Sequence, residues 1–213
     1  MTKITLDITG MHCASCGTLI SKRLEKVEGV KYSNVNLTTE KATVDFDEKK
    51  TSGADIIKAI NSLGYVASIS TGNNPDKETI KRKGELKKLK HLLIFSLLFT
   101  IPAFIVGMVL VWFGIEIPYM YYTLFALATP VQFIAGWTMY KSAFGALKNK
   151  TANMDTLIAI GTSAAYFYSV YVTFFDPMGE QYFEAAAILI TFVILGRYLE
   201  AIAKGKTSEA IKK

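Results

Sequence analysis

Cysteine is scarce in this sequence: two occur in 213 residues, Cys13 and Cys16, close together. A disulfide-stapled secreted domain would carry several spaced cysteines, so that class is excluded. Histidine is equally scarce. Beyond the two cysteines, residues 1–91 offer only His12 and His91, too few donors for an ordinary four-ligand structural zinc site. No proline precedes Pro75, so nothing breaks a strand or helix before it. The start lacks a basic-then-apolar leader, and no cleavable signal peptide is expected. Lysine and arginine are missing from two of the three breaks that separate four apolar runs.

What is present is unevenly placed. Half of the chain is hydrophobic (51%), which is high for a soluble domain. Residues 1–91 are mixed and charged, whereas residues 92–203 hold the apolar runs. These are about 92–115, 119–140, 156–175 and 182–203, each approaching the roughly 20 residues that cross a hydrocarbon core. Pro102 and Pro130 inside the first two are tolerable in a membrane, where neighbours satisfy freed carbonyls. The breaks 116–118 and 176–181 carry Glu116, Asp176 and Glu180 and no cation. The break 141–153 carries Lys141, Lys148 and Lys150, and the tail Lys204, Lys206, Lys212 and Lys213. Positive charge therefore alternates sides, which puts both termini in the cytoplasm of a multi-pass membrane protein. The net charge of +6 follows from this topology, and no nucleic acid is expected as a partner.

The first seventy residues read as one unit. Ile4, Leu6 and Ile8 alternate as a half-buried strand, and 14–28 repeats apolar residues at helical spacing up to Gly29. Val30–Thr38 and Lys41–Asp47 read as strands, with Val35, Leu37, Ala42, Val44 and Phe46 inward. Ser52 caps a second helix carrying Ile56, Ile57, Ile60 and Leu63, Gly64 ends it, and Tyr65–Ser70 is the last strand. The order βαββαβ predicts a ferredoxin-like α+β domain over 1–71, followed by an all-α transmembrane region of four helices over 92–213. Residues 72–91 join them as a polar linker and a basic juxtamembrane helix with Lys81, Arg82, Lys83, Lys87, Lys88 and Lys90. That helix reads as solvated, with lipid headgroups or a chaperone as the more specific contact. Gly136 followed by Trp137, Tyr140, Phe144 and Leu147 predicts a bend into an interfacial amphipathic helix over 137–150.

Two thiols where a strand gives way to a helix N-terminus form a soft metal site. Thiolate sulfur selects Cu(I) or Ag(I) over hard cations, and the helix end favours the thiolate. A thioredoxin-like redox pair is the competing chemistry. It is disfavoured because that fold needs a proline ahead of a later strand. His12 is a possible third ligand or an exposed loop residue, and Met11 is expected to pack beneath the loop.

Gly10-Met11-His12-Cys13-Ala14-Ser15-Cys16 in this fold resembles the heavy-metal-associated domain. Residues 85–213 resemble the opening membrane region of copper-transporting P-type ATPases. The motifs are Gly136-Trp137, the block from Asn153 to Gly161, Tyr182-Phe183-Glu184, and Leu195-Gly196-Arg197-Tyr198-Leu199-Glu200. Ala135 and Thr138 stand where that family commonly has a second glycine and a proline. The resemblance implies Cu(I) bound by Cys13 and Cys16, a cytoplasmic intake site of Met154 and Glu200, and Glu184 on the exit route. Sixteen residues of helix put about 24 Å between Glu184 and Glu200, one near each face of the membrane. Asp155 is expected to cap the third spanning helix. It further implies a cytosolic copper chaperone as donor, and ATP and Mg(II) acting only through domains of the same ATPase beyond Lys213. This chain is thus expected to be the amino-terminal part of a pump without catalytic residues of its own. A Zn(II)/Cd(II) pump and a membrane-tethered copper-binding module remain the alternatives.

Overall fold

The computed structural model describes residues 2–11, 13–70, 75–115, 118–176 and 179–211, with backbone alone for 75–82 and 205–211. They fall into two bodies: residues up to 76 together with 141–156, and 77–140 together with residues from 157 onward.

The first body contains β1 (Thr2–Thr9), α1 (Ala14–Leu24), β2 (Val30–Asn36), β3 (Lys41–Phe46), α2 (Gly53–Asn61) and β4 (Val66–Ile69). One antiparallel sheet runs β2-β3-β1-β4, the ferredoxin-like arrangement. Alternation decides its faces: Leu6 pairs with Ala42 on one side and Ile69 on the other, and Ile4 pairs with Val44. Leu6, Ile8, Ala42, Val44 and Phe46 meet Leu19, Ile20, Leu24, Ile56 and Ile60 in one core. Met11 is fully buried there, beneath the cysteine loop.

Helix α1 is shorter than its apolar spacing predicts. It stops at Leu24, because the chain tightens into turns in which Val27 N–H reaches Leu24 O and Val30 N–H reaches Val27 O. Helix α2 begins as expected. Ser52 Oγ accepts from Asp55 N–H while Asp55 Oδ2 accepts from Ser52 N–H, a reciprocal cap. These bonds, the Ser52 side chain first, hold the Asp55 carboxyl below its ordinary pKa. A depressed carboxyl stabilises the fold above its unfolded value, and that contribution fades as pH falls through the folded one. Ser52→Ala is expected to cost about 1 kcal/mol, read as a lower urea midpoint for this body.

The same body includes most of α6 (Trp137–Lys148) and the loop to the start of α7 (Met154–Phe175). Ser142, Gly145, Ala146 and Asn149 share one side of this segment at helical spacing. That side meets the turn between α2 and β4. Asn149 Nδ2 donates to Ser62 O at 3.2 Å, and the Gly145 backbone lies directly against Leu63 and Gly64. The bulky side chains Trp137, Phe144 and Leu147 are exposed.

The second body is helical: α3 (Pro75–Phe104) and α4 (Leu110–Trp112), then α5 (Met120–Pro130), the start of α6, most of α7, and α8 (Phe183–Ile211). Residues Ile105–Val109 and Val131–Ala135 are π-helical, and each follows a proline, Pro102 or Pro130. A proline removes a backbone donor and crowds the preceding turn, so the ladder widens beyond it. Small side chains let the helices approach closely: Ala128, Ala135 and Ala187 lie in the core with Leu124, Tyr166, Phe183 and Ile190. Hydroxyl pairs tie helices together, Thr100 to Thr191 and Thr129 to Tyr166, both at 2.8 Å. Among the described residues, three helices are long and apolar enough to cross a membrane: Lys83–Trp112, Met154–Phe175 and Phe183–Lys204. Met120–Ala135 is apolar but shorter.

Candidate metal centre

The loop after β1 brings Cys13 to the position just ahead of α1, with extended backbone, and Cys16 into the first turn. Their sulfurs are 2.8 Å apart, and neither is in a disulfide. Cys16 is 4% exposed on the core side, whereas Cys13 is half-buried at the loop edge. The asymmetry follows from helix geometry: Cys16 is carried inward with Leu19 and Ile20, and Cys13 precedes the helix.

Several donors converge on Cys13. Burial, the largest single influence, raises its thiol pKa. The Cys16 side chain, the Ser15 hydroxyl at 2.9 Å, and backbone bonds from Cys16 and Met154 together outweigh it. The net effect holds the thiol below its ordinary value, which favours the nucleophilic, metal-binding thiolate. Tyr65 is buried beside this pair. Its hydroxyl faces Cys16 and Asn153 without a well-formed hydrogen bond, and burial first, then the neighbouring sulfur, raises its pKa well above the phenol range.

Met154 opens α7, and its backbone is near enough to Cys13 in the first body to help lower the thiol pKa. The cap of α7 is Asn153, not Asp155. Asn153 Oδ1 accepts from Thr156 N–H at 2.9 Å, and Thr156 Oγ1 accepts from Asn153 N–H at 3.2 Å. A capping side chain must precede the first helical residue. Asp155 already lies inside the first turn, where it is buried. The Asn-x-x-Thr spacing was the sequence signal for this cap.

Glu184 and Glu200 belong to the second body, near the start of α8 and toward its end. Glu200 is paired with Lys204 at 3.0 Å, one helical turn on. Glu184 faces the π-helical turn of 105–109, where a Cβ on Gly107 would come within 3.1 Å of the Glu184 carboxyl. Glu184 Oε2 is buried without a protein hydrogen bond among the described residues. The approach of Gly107 to Glu184 was not visible to sequence reasoning, since one glycine in an apolar run carries no signal. Sequence patterning likewise gave no hint that the cysteine loop meets the start of α7. His12, considered above as a possible ligand, lies outside the described residues.

A two-thiol loop on a ferredoxin-like sheet defines a class, and the class is matched directly. Residues 5–66 match the heavy-metal-associated domain. Over 98% of its length the chain is 44% identical to the copper-exporting P-type ATPase of Staphylococcus aureus (strain Newman), covering 27% of that protein. It is 42% identical to the copper-exporting P-type ATPase of Bacillus subtilis (strain 168), over 99% of this chain and 27% of the relative. The solution structure of the N-terminal domain of a potential copper-translocating P-type ATPase from Bacillus subtilis, Cu(I)-loaded, is 42% identical. That similarity covers 32% of this chain and 84% of the other, with a TM-score of 0.31. The chain carries a heavy-metal-associated domain and is homologous, over nearly its whole length, to the N-terminal portion of copper-exporting P-type ATPases. It spans about a quarter of the length of these relatives.

Proposed function

We propose that this chain captures Cu(I) and admits it to the membrane part of a P-type ATPase that exports copper from the cytoplasm. The observation that carries the reading is the Cys13–Cys16 pair: two sulfurs in contact at a helix N-terminus, with the Cys13 thiol favoured as thiolate. Such a pair suits a soft ion of low coordination. Each ligand forms when a thiolate lone pair replaces a donor's sulfur on the metal, so Cu(I) moves without change of oxidation state. A cytosolic chaperone is the donor in this reading.

Met154 and Glu200 are the intake ligands, a thioether and a carboxylate at the cytoplasmic side. The Glu200–Lys204 pair must open for Glu200 to reach a metal, and a partly exposed pair of this spacing costs only about 0.5 kcal/mol to break. Glu184 receives the ion toward the outer face. The spans are 92–115, 119–140, 156–175 and 182–203, both termini are cytoplasmic, and the exposed face of α6 lies along the lipid interface. ATP and Mg(II) act through other domains of the pump.

Competition tests the metal. With one Cu(I) bound per cysteine pair, a large excess of Zn(II) is expected to leave the thiolate-to-copper absorption unchanged. Displacement by equimolar Zn(II) would turn the reading toward a Zn(II)/Cd(II) transporter.

A further inference from the structure

Residues 84, 87, 88, 91, 92 and 95 recur at intervals of three and four, so they form one stripe along α3. Together with the π-helical turn of 131–135, this stripe walls a groove of about 640 Å³. The groove changes character along its length. Lys87, Lys88 and His91 line one half, Leu92 and Phe95 the other, and Ile134 supplies the second wall. After Lys90 no acidic side chain, lysine or arginine occurs until Glu116, so the change at 91–92 falls where the helix enters hydrocarbon. Among the described residues no carboxylate lines the groove, and neither lysine is in an ion pair. His91 Nδ1 bonds Lys87 O at 2.6 Å, which keeps the ring on the wall beside both lysines. Ile134 is 59% exposed, an apolar wall that protein does not cover.

We propose that this groove binds one anionic phospholipid, with its phosphate against Lys87 and Lys88 and an acyl chain along Leu92, Phe95 and Ile134. The inference rests on the membrane topology proposed above and is independent of the copper chemistry. Each half of the groove excludes a simpler occupant. A free phosphate would leave Leu92, Phe95 and Ile134 uncovered. A zwitterionic lipid would bring its own cation against two ammonium groups. An anionic lipid satisfies both halves, because its charge and its hydrocarbon are offset in the same sense as the lysines and Phe95, which lie about 10–12 Å apart along the helix. Lysine stems can lie on the apolar wall while their ammonium groups reach the phosphate. On the proposed topology the lipid belongs to the cytoplasmic leaflet, whose anionic headgroups attract cations beside a span. Its chain fills the space between α3 and the widened turn after Pro130, so one lipid touches both helices.

The test titrates the full chain in detergent micelles with dioleoyl phosphatidylglycerol or dioleoyl phosphatidylcholine and counts bound lipid by native mass spectrometry. The wild type should bind one phosphatidylglycerol, roughly tenfold or more tighter than phosphatidylcholine. Lys87→Gln with Lys88→Gln should weaken phosphatidylglycerol by roughly 25-fold, about fivefold for each lysine, and leave phosphatidylcholine unchanged. Lys83→Gln with Lys90→Gln removes the same charge from α3 outside the groove and should have little effect. All four lysines are exposed, so the variants should fold. Ile134→Asn should weaken phosphatidylglycerol as well, and excess inorganic phosphate should not displace it. Equal losses in the two lysine pairs would overturn the groove in favour of diffuse charge. Equal wild-type affinity for the two lipids would overturn its selectivity for an anion. Displacement by inorganic phosphate would overturn the role of the apolar wall. A wild-type chain that binds neither lipid and is not retained by liposomes would overturn the membrane topology itself, and the groove with it.

Discussion

Replacing Cys13 and Cys16 together with serine is expected to abolish thiolate-bound Cu(I), the largest functional effect available in this chain. A hydroxyl is a harder and far less acidic donor than a thiol, so serine supplies neither the soft ligand nor the anion. The change should eliminate the thiolate-to-copper absorption and lower the copper retained against a competing chelator. The fold should survive, because serine is close in size to cysteine, although Cys16 loses apolar burial in the core. Single variants should differ. Cys16→Ser places a hydroxyl among Leu19, Ile20 and Met11 and is expected to lower stability as well as binding. Cys13→Ser lies at the loop edge and should affect binding alone. Retention of full copper stoichiometry by the double variant would show that the metal sits elsewhere.

The second large effect is expected at Gly107. On the exit-route role proposed for Glu184, Gly107→Val in a complete transporter carrying this region should reduce copper export by about 10–100-fold, the usual range for residues that orient a metal ligand. The cause is steric. The Glu184 carboxyl occupies the space where a side chain on the π-helical turn would stand, 3.1 Å from the added Cβ. Valine must push the carboxyl away, and its buried Oε2 loses the position it holds in the absence of a protein partner. Copper binding at the cysteines should be unchanged, which separates this defect from a loss of capture. Glu184→Gln should reproduce the export defect without steric strain. If Gly107→Val exports normally while Glu184→Gln does not, Glu184 acts without help from the notch.

The ferredoxin-like domain was readable from sequence for a plain reason. Its strands alternate and its helices repeat at helical spacing, and both patterns are local. Ile4, Leu6 and Ile8 face inward because a strand has a period of two, whatever lies far away in sequence. The cysteine pair was readable too, since its chemistry depends on residues three apart. Boundaries were less so: α1 ends at Leu24 because the turns after it tighten, while Val27 keeps an apolar rhythm that suggests more helix. The widened turns after Pro102 and Pro130 follow a local rule, but their extent depends on how neighbouring helices satisfy the freed carbonyls.

By itself the sequence determined the βαββαβ order, the two-sulfur loop and the separation of a charged amino-terminal part from apolar helices, because each rests on short-range periodicity or composition. Only the tertiary structure decided that Gly145 receives Leu63 and Gly64, that the start of α7 meets Cys13, and that Gly107 makes room for Glu184. Those contacts join residues from 77 positions apart, for Gly107 and Glu184, to 141, for Cys13 and Met154. They depend on close approach of backbones across space, and a glycine that permits such an approach looks in sequence like any other glycine.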